Sequence, residues 1–164
     1  LRERVTALGR AHDFIRPRAA ARQDAPPLDS LHGLLGQLFA PYQFAGRTRI
    51  TVSGGEVAID DRAATPIALL FHELATNATK YGALSNDTGH VTVEIEPGVE
   101  TTLLAWREHD GPPVSAPGGE GGFGSRLIEL SAVRQLGGSV RRDWRPDGLA
   151  VEISLPSASL SRMR

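Results

Sequence analysis

Apolar residues recur along this chain at two different spacings, and each spacing indicates a different kind of element. Between residues 31 and 39 they lie three and four positions apart, as on one side of an amphipathic helix. Between residues 90 and 96 apolar and polar residues alternate, which is typical of a strand with one buried face. Together the two patterns predict helices over 31–39, 66–81 and 125–136, and strands over 90–96, 101–107, 139–144 and 149–155.

Local signals set the ends of these helices. Asp29 or Ser30 can cap the first helix. Thr65 and Pro66 predict the start of the second, because a proline at the first helical position loses no intrahelical hydrogen bond. The pair Gly137-Gly138 predicts the end of the third helix.

The remaining segments complete a prediction of the fold. Residues 49–52 and 57–59, joined through 53–56, resemble a β-hairpin, and the chain from Ser157 onward is expected to be frayed. The order of helices and hairpins predicts an α/β sandwich of two layers, of the α+β class. In it a mixed, mostly antiparallel sheet is covered by helices on one face.

The first 27 residues have a different character. A heptad-like apolar stripe covers residues 1–17, and it could pack against another helix or lie on its own domain. Residues 18–27 are typical of a linker, so the expected organisation is a helix over 1–17, a linker, a domain over 28–156 and a tail over 157–164. The charged start is unlike a signal peptide, and the absence of an initial methionine suggests part of a longer protein.

Composition then excludes several classes of function. The 164 residues are 40% hydrophobic and 23% charged, with a formal net charge of −1, so no strong field favours nucleic acid or a membrane surface. No apolar run reaches the roughly 18 residues of a membrane span. Cysteine is absent, and the histidines lack the paired spacing of a zinc site. We expect a cytoplasmic protein.

Candidate chemistry lies on the second predicted helix. At about 100° per residue, Glu73, Asn77 and Lys80 fall within an arc of roughly 60°, opposite an apolar face. An amide oxygen suits Mg²⁺, a carboxylate can orient a water, and an ammonium can neutralise phosphate oxygens. The same spacing also suits an ordinary solvent-exposed face, so spacing alone leaves both interpretations open.

A second candidate is the glycine-rich segment 118–124, which leads directly into the third helix. Glycines allow close approach of the backbone, and the free N–H groups of a helix start can bind an anion. Flexible linkers share this composition, so the segment is suggestive only in combination with the polar helix face.

In combination these residues resemble the HWE group of sensor histidine kinases. Residues 72–85 resemble the N box of that group, including its histidine, His72. Trp106-Arg107-Glu108 resembles its Trp-x-Glu box, and Gly122-Phe123-Gly124 resembles its second glycine box. The resemblance covers nearly the whole chain and implies the Bergerat ATP-binding fold.

The resemblance also implies roles for single residues. Asn77 would ligate Mg²⁺, and Glu73, with His72 beside it, would polarise a water near the γ-phosphate. Glu108 would accept a hydrogen bond from the adenine amino group, although Asp110 could serve instead. The remaining ATP contacts would come from the phosphate side of the helix, the base box and the lid: Lys80, Tyr81, Gly111, Gly122, Phe123, Gly124 and Ser125.

As a whole, the resemblance implies a kinase domain that transfers the ATP γ-phosphoryl group to a histidine upstream of residue 1. The phosphoryl group would pass on to an aspartate in the receiver domain of a response regulator. Expected partners are that receiver, an upstream sensor domain with its phosphoacceptor helix, and a second copy in a homodimer. His12 lacks the acceptor motif of the group. The alternatives are a docking or phosphotransfer module that has lost ATP, and a chaperone-like or topoisomerase-like ATPase.

Overall fold

A computed structural model of the chain describes residues 29–43, 46–114 and 123–161. The α-helices are α1 (Leu31–Phe39), α2 (Asp61–Tyr81) and α3 (Phe123–Glu129), and α3 continues as a π-helix over Leu130–Gln135. Short 3₁₀ turns cover Ala40–Tyr42 and Ser157–Ser159. The strands are β1 (Ile50–Gly54), β2 (His90–Glu96), β3 (Thr101–His109), β4 (Ser139–Arg145) and β5 (Gly148–Pro156). The predicted helix over 1–17, the linker over 18–27 and Gly122 lie outside these residues.

The five strands form one sheet in the order β1-β2-β3-β5-β4. β1 pairs parallel with β2, with Ile50 opposite Val91, and every other neighbouring pair is antiparallel. The predicted mixed, mostly antiparallel sheet of an α+β fold is therefore confirmed.

Side-chain alternation separates the two faces of the sheet. On β2, Val91 and Val93 are fully buried, whereas Glu94, which points to the opposite face, is exposed. On β3, Leu104 and Trp106 are buried and Arg107 is exposed. The buried face packs against the helical layer, in which α2 lies in contact with both α1 and α3.

An aromatic cluster joins the two layers. Phe39 of α1, Phe71 of α2 and Trp106 of β3 have ring centroids 6.1–6.3 Å apart. All three are at most 1% exposed, and burial of each such side chain contributes about 1.5–3 kcal/mol. The cluster fixes α2 over the middle of the sheet, with its predicted apolar face inward.

The predicted hairpin over 49–52 and 57–59 is wrong. β1 pairs with β2, and Ala58 instead forms an isolated bridge with Ser30. The glycines that resemble a turn are needed where β1 meets β2: at Gly54, with φ +104°, a Cβ would lie 2.0 Å from the carbonyl oxygen of Ile95. A glycine pair that permits close approach has the same sequence signature as one that makes a turn.

The predicted start of the second helix is also wrong. α2 begins at Asp61, and Asp60 is its N-cap, because the Asp60 carboxylate accepts hydrogen bonds from the N–H groups of Arg62 and Ala63. Pro66 lies inside the helix and Thr65 caps nothing. The aspartate pair at 60–61 is the stronger helix-start signal, since a carboxylate also interacts favourably with the helix dipole.

The end of the described chain differs from the expected frayed tail. Residues 157–159 form a 3₁₀ turn, and Leu160 is 1% exposed in the core. The Leu160 carbonyl accepts a hydrogen bond of 2.8 Å from the N–H of Asp60, which ties this end to the start of α2. The third predicted helix is present, and it ends at Gly137 with φ +72° as expected.

Candidate functional site

The polar face of α2 contains one deeply buried carboxylate. Glu73 is 2% exposed, Asn77 one turn later is partly buried, and Lys80 at the end of the helix is exposed. His72 is also buried, at 6% exposure, while Tyr81 is 71% exposed. The exposure therefore increases along the face from Glu73 to Lys80.

This gradient bears on one of the two interpretations of the helix face, the ordinary solvent-exposed face. Glutamates are almost never buried to this extent unless the carboxylate is paired. An ordinary solvent-exposed face would leave Glu73 in water, so that interpretation does not fit the structure. The buried carboxylate of Glu73 and the partly buried amide of Asn77 are two groups with oxygen atoms on one helix face, and the exposure of this face increases toward the end of α2.

A second buried carboxylate lies where α2 ends. Glu108, near the end of β3, is 6% exposed. Its Oε1 accepts a hydrogen bond of 3.0 Å from the N–H of Ala83, and its Oε2 accepts one of 3.0 Å from Trp106 Nε1. We call Ala83, Trp106 and Glu108 the inner cluster. It joins the chain just after α2 to the end of β3.

The spacing of Trp106 and Glu108 has a direct structural reason. Residues two apart on a strand point to the same face, so the Trp106 ring can fill the core while its N–H reaches the carboxylate next along the strand. Space around Glu108 is tight, because a Cβ on Gly82 would lie 2.0 Å from Glu108 Oε1. The Trp-x-Glu pattern therefore packs one residue and orients the other.

The electrostatics of Glu108 result from competition. Burial raises the pKa of the Glu108 carboxyl above its ordinary value, because desolvation disfavours the charged form. The hydrogen bonds from Ala83 and Trp106 act in the opposite direction and offset part of the effect. Each carboxylate oxygen has a second lone pair, so Glu108 can still accept a hydrogen bond from a bound group.

The other candidate carboxylate lies on the opposite face of the sheet. Asp110 has φ +56°, and its carboxylate Oδ2 is 3.7 Å from His90 Nδ1. The His90 ring stacks on His109 at 4.7 Å, and His109 Nε2 lies 3.0 Å from Thr92 Oγ1. We call His90, Thr92, His109 and Asp110 the outer cluster. The Asp110 side chain is 73% exposed. Glu108, by contrast, is buried on the side of the sheet that faces α2.

Comparison with known proteins shows which chains this one is similar to. No family model matches the chain. It is, however, 37% identical over 158 residues to blue-light-activated histidine kinase 1 of Erythrobacter litoralis, and the match covers 95% of this chain and 42% of the relative. This chain is a homologue of the histidine kinases. It spans less than half the length of the curated kinases that it matches.

Solved histidine kinases share the fold. The histidine kinase domain of the E. litoralis EL346 blue-light-activated kinase has a TM-score of 0.65 at 22% identity, and the match covers 99% of this chain and 78% of that one. Histidine kinase ThkA, solved in complex with the response regulator protein TrrA, has a TM-score of 0.58 at 15% identity. In that case the match covers 82% of this chain and 42% of that one. The resemblance to histidine kinase catalytic domains is confirmed.

The predicted base-binding residues Glu108, Asp110 and Gly111 all contact the loop between α2 and β2. Gly111 packs against it, because a Cβ there would lie 2.5 Å from the Ala83 Cα. Asn86 and Thr88 donate from their side chains to the Asp110 carbonyl oxygen, at 3.4 and 3.1 Å. Of the predicted lid, Phe123, Gly124 and Ser125 lie in the first turn of α3. The roles of these residues stay predictions.

Two residues with structural roles at this site are absent from the sequence prediction, Arg49 and Asn86. Both hold the loop between α2 and β2, which we call the 82–89 loop. Arg49 contacts carbonyl oxygens 34 to 40 residues further along the chain. Backbone acceptors have no residue signature, so no sequence pattern identifies such a partner.

Neither a cluster of metal ligands nor a membrane-spanning helix occurs among the described residues. Residues 29–43, 46–114 and 123–161 contain no group of three or more His, Cys, Asp or Glu side chains able to hold a metal ion. In the same residues no helix is both long and apolar enough to cross a bilayer.

Proposed function

We propose that this chain binds Mg-ATP and acts as the catalytic domain of a sensor histidine kinase. It would transfer the γ-phosphoryl group to a histidine upstream of residue 1. The observation that carries the proposal is the buried carboxylate of Glu73, one helical turn from the partly buried amide of Asn77. Both lie on a helix whose far end connects to the buried Glu108.

The donor set of α2 fits magnesium in particular. Mg²⁺ prefers oxygen ligands, keeps several waters and is usually held by one or two protein groups together with phosphates. Asn77 would supply an amide oxygen, and bound Mg²⁺ would screen the charge of the phosphates. A single partly buried oxygen ligand suits this ion better than zinc or calcium, which take more protein ligands.

The remaining residues of α2 would orient and neutralise. Glu73 would hold a water or accept a proton close to the γ-phosphate, with His72 packed beside it. Lys80 and Tyr81, both exposed at the open end of the helix, would face the phosphates. The gradient from buried to exposed thus follows the expected path from the reacting centre to solvent.

For the adenine amino group we propose Glu108 as the acceptor. Glu108 lies on the α2 side of the sheet, while the Asp110 carboxylate lies near His90 on the outer side. Gly111 would give the base room close to the backbone. Gly122, Phe123, Gly124 and Ser125 would form the lid over the phosphates.

The proposed partners follow from the kinase assignment. A response regulator receiver domain would accept the phosphoryl group, in line with the ThkA structure in complex with a response regulator. The phosphoacceptor helix and a sensor domain would lie upstream, and the kinase could act as a homodimer. Because ATP is the phosphoryl donor, we propose that this domain works in the cytoplasm.

Calorimetry with and without magnesium tests the nucleotide site. Wild-type protein should bind a non-hydrolysable ATP analogue with Mg²⁺, and Asn77→Ala should weaken binding by more than about tenfold, because one metal ligand is lost. Removing Mg²⁺ with a chelator should bring the wild type close to the level of the variant. Thr79→Ala, an exposed position on the same helix, is the matched control.

The outcome that would contradict the proposal is simple to recognise. If the wild type binds no nucleotide at millimolar concentration while it is folded, the ATP-binding function is wrong. The docking module without ATP would then be the better description. Transfer itself can be followed with γ-labelled ATP on the longer gene product that includes the acceptor histidine.

A further inference from the structure

Arg49, just before β1, holds the 82–89 loop by its guanidinium group. Its Nε donates to the Gly89 carbonyl at 3.2 Å, and its Nη2 reaches the carbonyl oxygens of Ala83 at 3.2 Å, Gly89 at 2.7 Å and Asn86. Within the described part of the chain, all the hydrogen bonds of this guanidinium group are to backbone oxygens. Arg49 therefore acts as a cap for the carbonyl groups of a loop.

The backbone of Arg49 is itself fixed on both sides. Its N–H donates to Gln43 Oε1 at 2.6 Å, and its carbonyl oxygen accepts a hydrogen bond of 2.8 Å from the N–H of Val91 in β2. The side chain is partly buried. The guanidinium group thus extends from a point anchored to the edge of the sheet, which lowers the entropy lost when it holds the loop.

The 82–89 loop transmits this anchoring to Glu108. The carbonyl oxygen of Ala83 faces Arg49, while the N–H of the same residue donates to Glu108 Oε1. Gly111 lies directly against the Ala83 Cα, so a shift of Ala83 would be felt at both residues. The other Glu108 oxygen is already fixed by Trp106.

We propose that Arg49 is a positioning residue for recognition of the nucleotide base. It fixes Ala83, Ala83 fixes Glu108 Oε1, and the unused lone pairs of Glu108 then point in one direction toward the base. The inference rests on the proposed ATP-binding function and adds a residue that does not touch the nucleotide. Arginine suits this role because its guanidinium presents Nε and Nη2 donors in a fixed fork, whereas the three donors of a lysine ammonium share one nitrogen on a flexible stem.

Base selectivity separates positioning from a merely structural role. Inosine triphosphate carries a carbonyl oxygen where ATP carries the amino group, so that position of the base cannot donate to Glu108. In calorimetry with Mg²⁺, Arg49→Gln should weaken ATP binding by about tenfold, the value of one well-placed hydrogen bond, and change inosine triphosphate binding by less than about twofold. Arg49→Lys should lie between the variant and the wild type, because an ammonium can hold only some of the carbonyls.

Arg141→Gln is the matched control. It removes the same charge from an exposed ion pair between Arg141 on β4 and Glu152 on β5. This variant should bind both nucleotides as the wild type does. Amide hydrogen exchange gives a second readout: Ala83 should lose protection in Arg49→Gln and keep it in Arg141→Gln.

Three results would overturn the inference, and they are distinguishable. If Arg49→Gln matches Arg141→Gln in ATP affinity, the positioning role is wrong. Equal losses for ATP and inosine triphosphate, together with a lower Tm, would make Arg49 a structural residue only. If the folded wild type binds neither nucleotide, the proposed function itself fails, and the role of Arg49 in base recognition fails with it.

Discussion

The inner and outer clusters lie at the same end of the β2–β3 pair, yet their environments are opposite. In the inner cluster, Glu108 is buried and both oxygens accept hydrogen bonds from the protein. In the outer cluster, Asp110 is exposed and its carboxylate lies 3.7 Å from His90 Nδ1. The two carboxylates are separated by one residue in the sequence, and Asp110 lies just beyond the end of β3.

The difference shows that burial, and not residue type, determines how strongly each carboxylate interacts with its surroundings. A charge in the interior interacts strongly with every nearby dipole, because little water screens it. A charge on the surface is screened, and exposed ion pairs contribute only about 0–1 kcal/mol. Substitutions should therefore have large consequences in the inner cluster and small ones in the outer cluster.

The largest contrast is expected from the same chemical change at both carboxylates. Glu108→Gln replaces an acceptor oxygen by a donor, which would face the N–H of either Ala83 or Trp106. We expect it to lower the free energy of unfolding by about 1–3 kcal/mol and to weaken ATP binding by about tenfold. Asp110→Asn should stay within about 0.5 kcal/mol of the wild type.

Urea denaturation and calorimetry of the two variants measure both quantities. Asparagine also tolerates the positive φ at residue 110, so this control adds little backbone strain. Equal effects of the two substitutions would remove the distinction between the clusters. A larger effect at Asp110 on ATP binding would transfer base recognition to that residue.

The second expected effect is a pH dependence confined to the inner cluster. Because burial raises the pKa of Glu108 above 4.5, the native state keeps this proton at a pH where the unfolded chain has released it. The free energy of unfolding of the wild type, relative to Glu108→Gln, should therefore decrease as the pH rises from about 4.5 through the raised pKa.

Urea denaturation measured at about one pH value per unit, from about pH 4 to about pH 8, checks this dependence. A difference between wild type and Glu108→Gln that grows with pH would show that the hydrogen bonds from Ala83 and Trp106 outweigh desolvation.

The smallest effect is expected in the outer cluster. Thr92→Val removes the hydroxyl that lies 3.0 Å from His109 Nε2 and leaves a residue well suited to a strand. We expect a change in Tm of no more than about 2 °C and an unchanged affinity for ATP. A marked loss of ATP binding would mean that the two faces of the sheet are coupled through β3.

The sequence predicted the elements with strong periodicity. α1, β2, β3 and the hairpin of β4 and β5 lie where the apolar spacing places them, because each buries one regular face. The polar face of α2 was predicted from helical spacing alone. The family resemblance then supplied a role for each residue.

Other features depend on contacts that have no local signal. The parallel pairing of β1 with β2 joins segments about 40 residues apart, and the turn-like glycines between β1 and α2 predicted a hairpin instead. The buried state of Glu73 and the carbonyl contacts of Arg49 are likewise tertiary. Sequence spacing can place a carboxylate on a helix face, but only tertiary packing determines whether that face is exposed to solvent.

The parallel pair of β1 and β2 has a consequence for the order of folding. The whole of α2 lies between these strands in the chain, so β1 can join the sheet only after a long connection has closed. Contacts so distant in sequence slow folding and tend to form late. Arg49 immediately precedes β1, so the docking of this strand would also bring the guanidinium group to the 82–89 loop. If the proposed ATP site is complete only in that state, nucleotide would stabilise the population in which β1 has docked, by mass action.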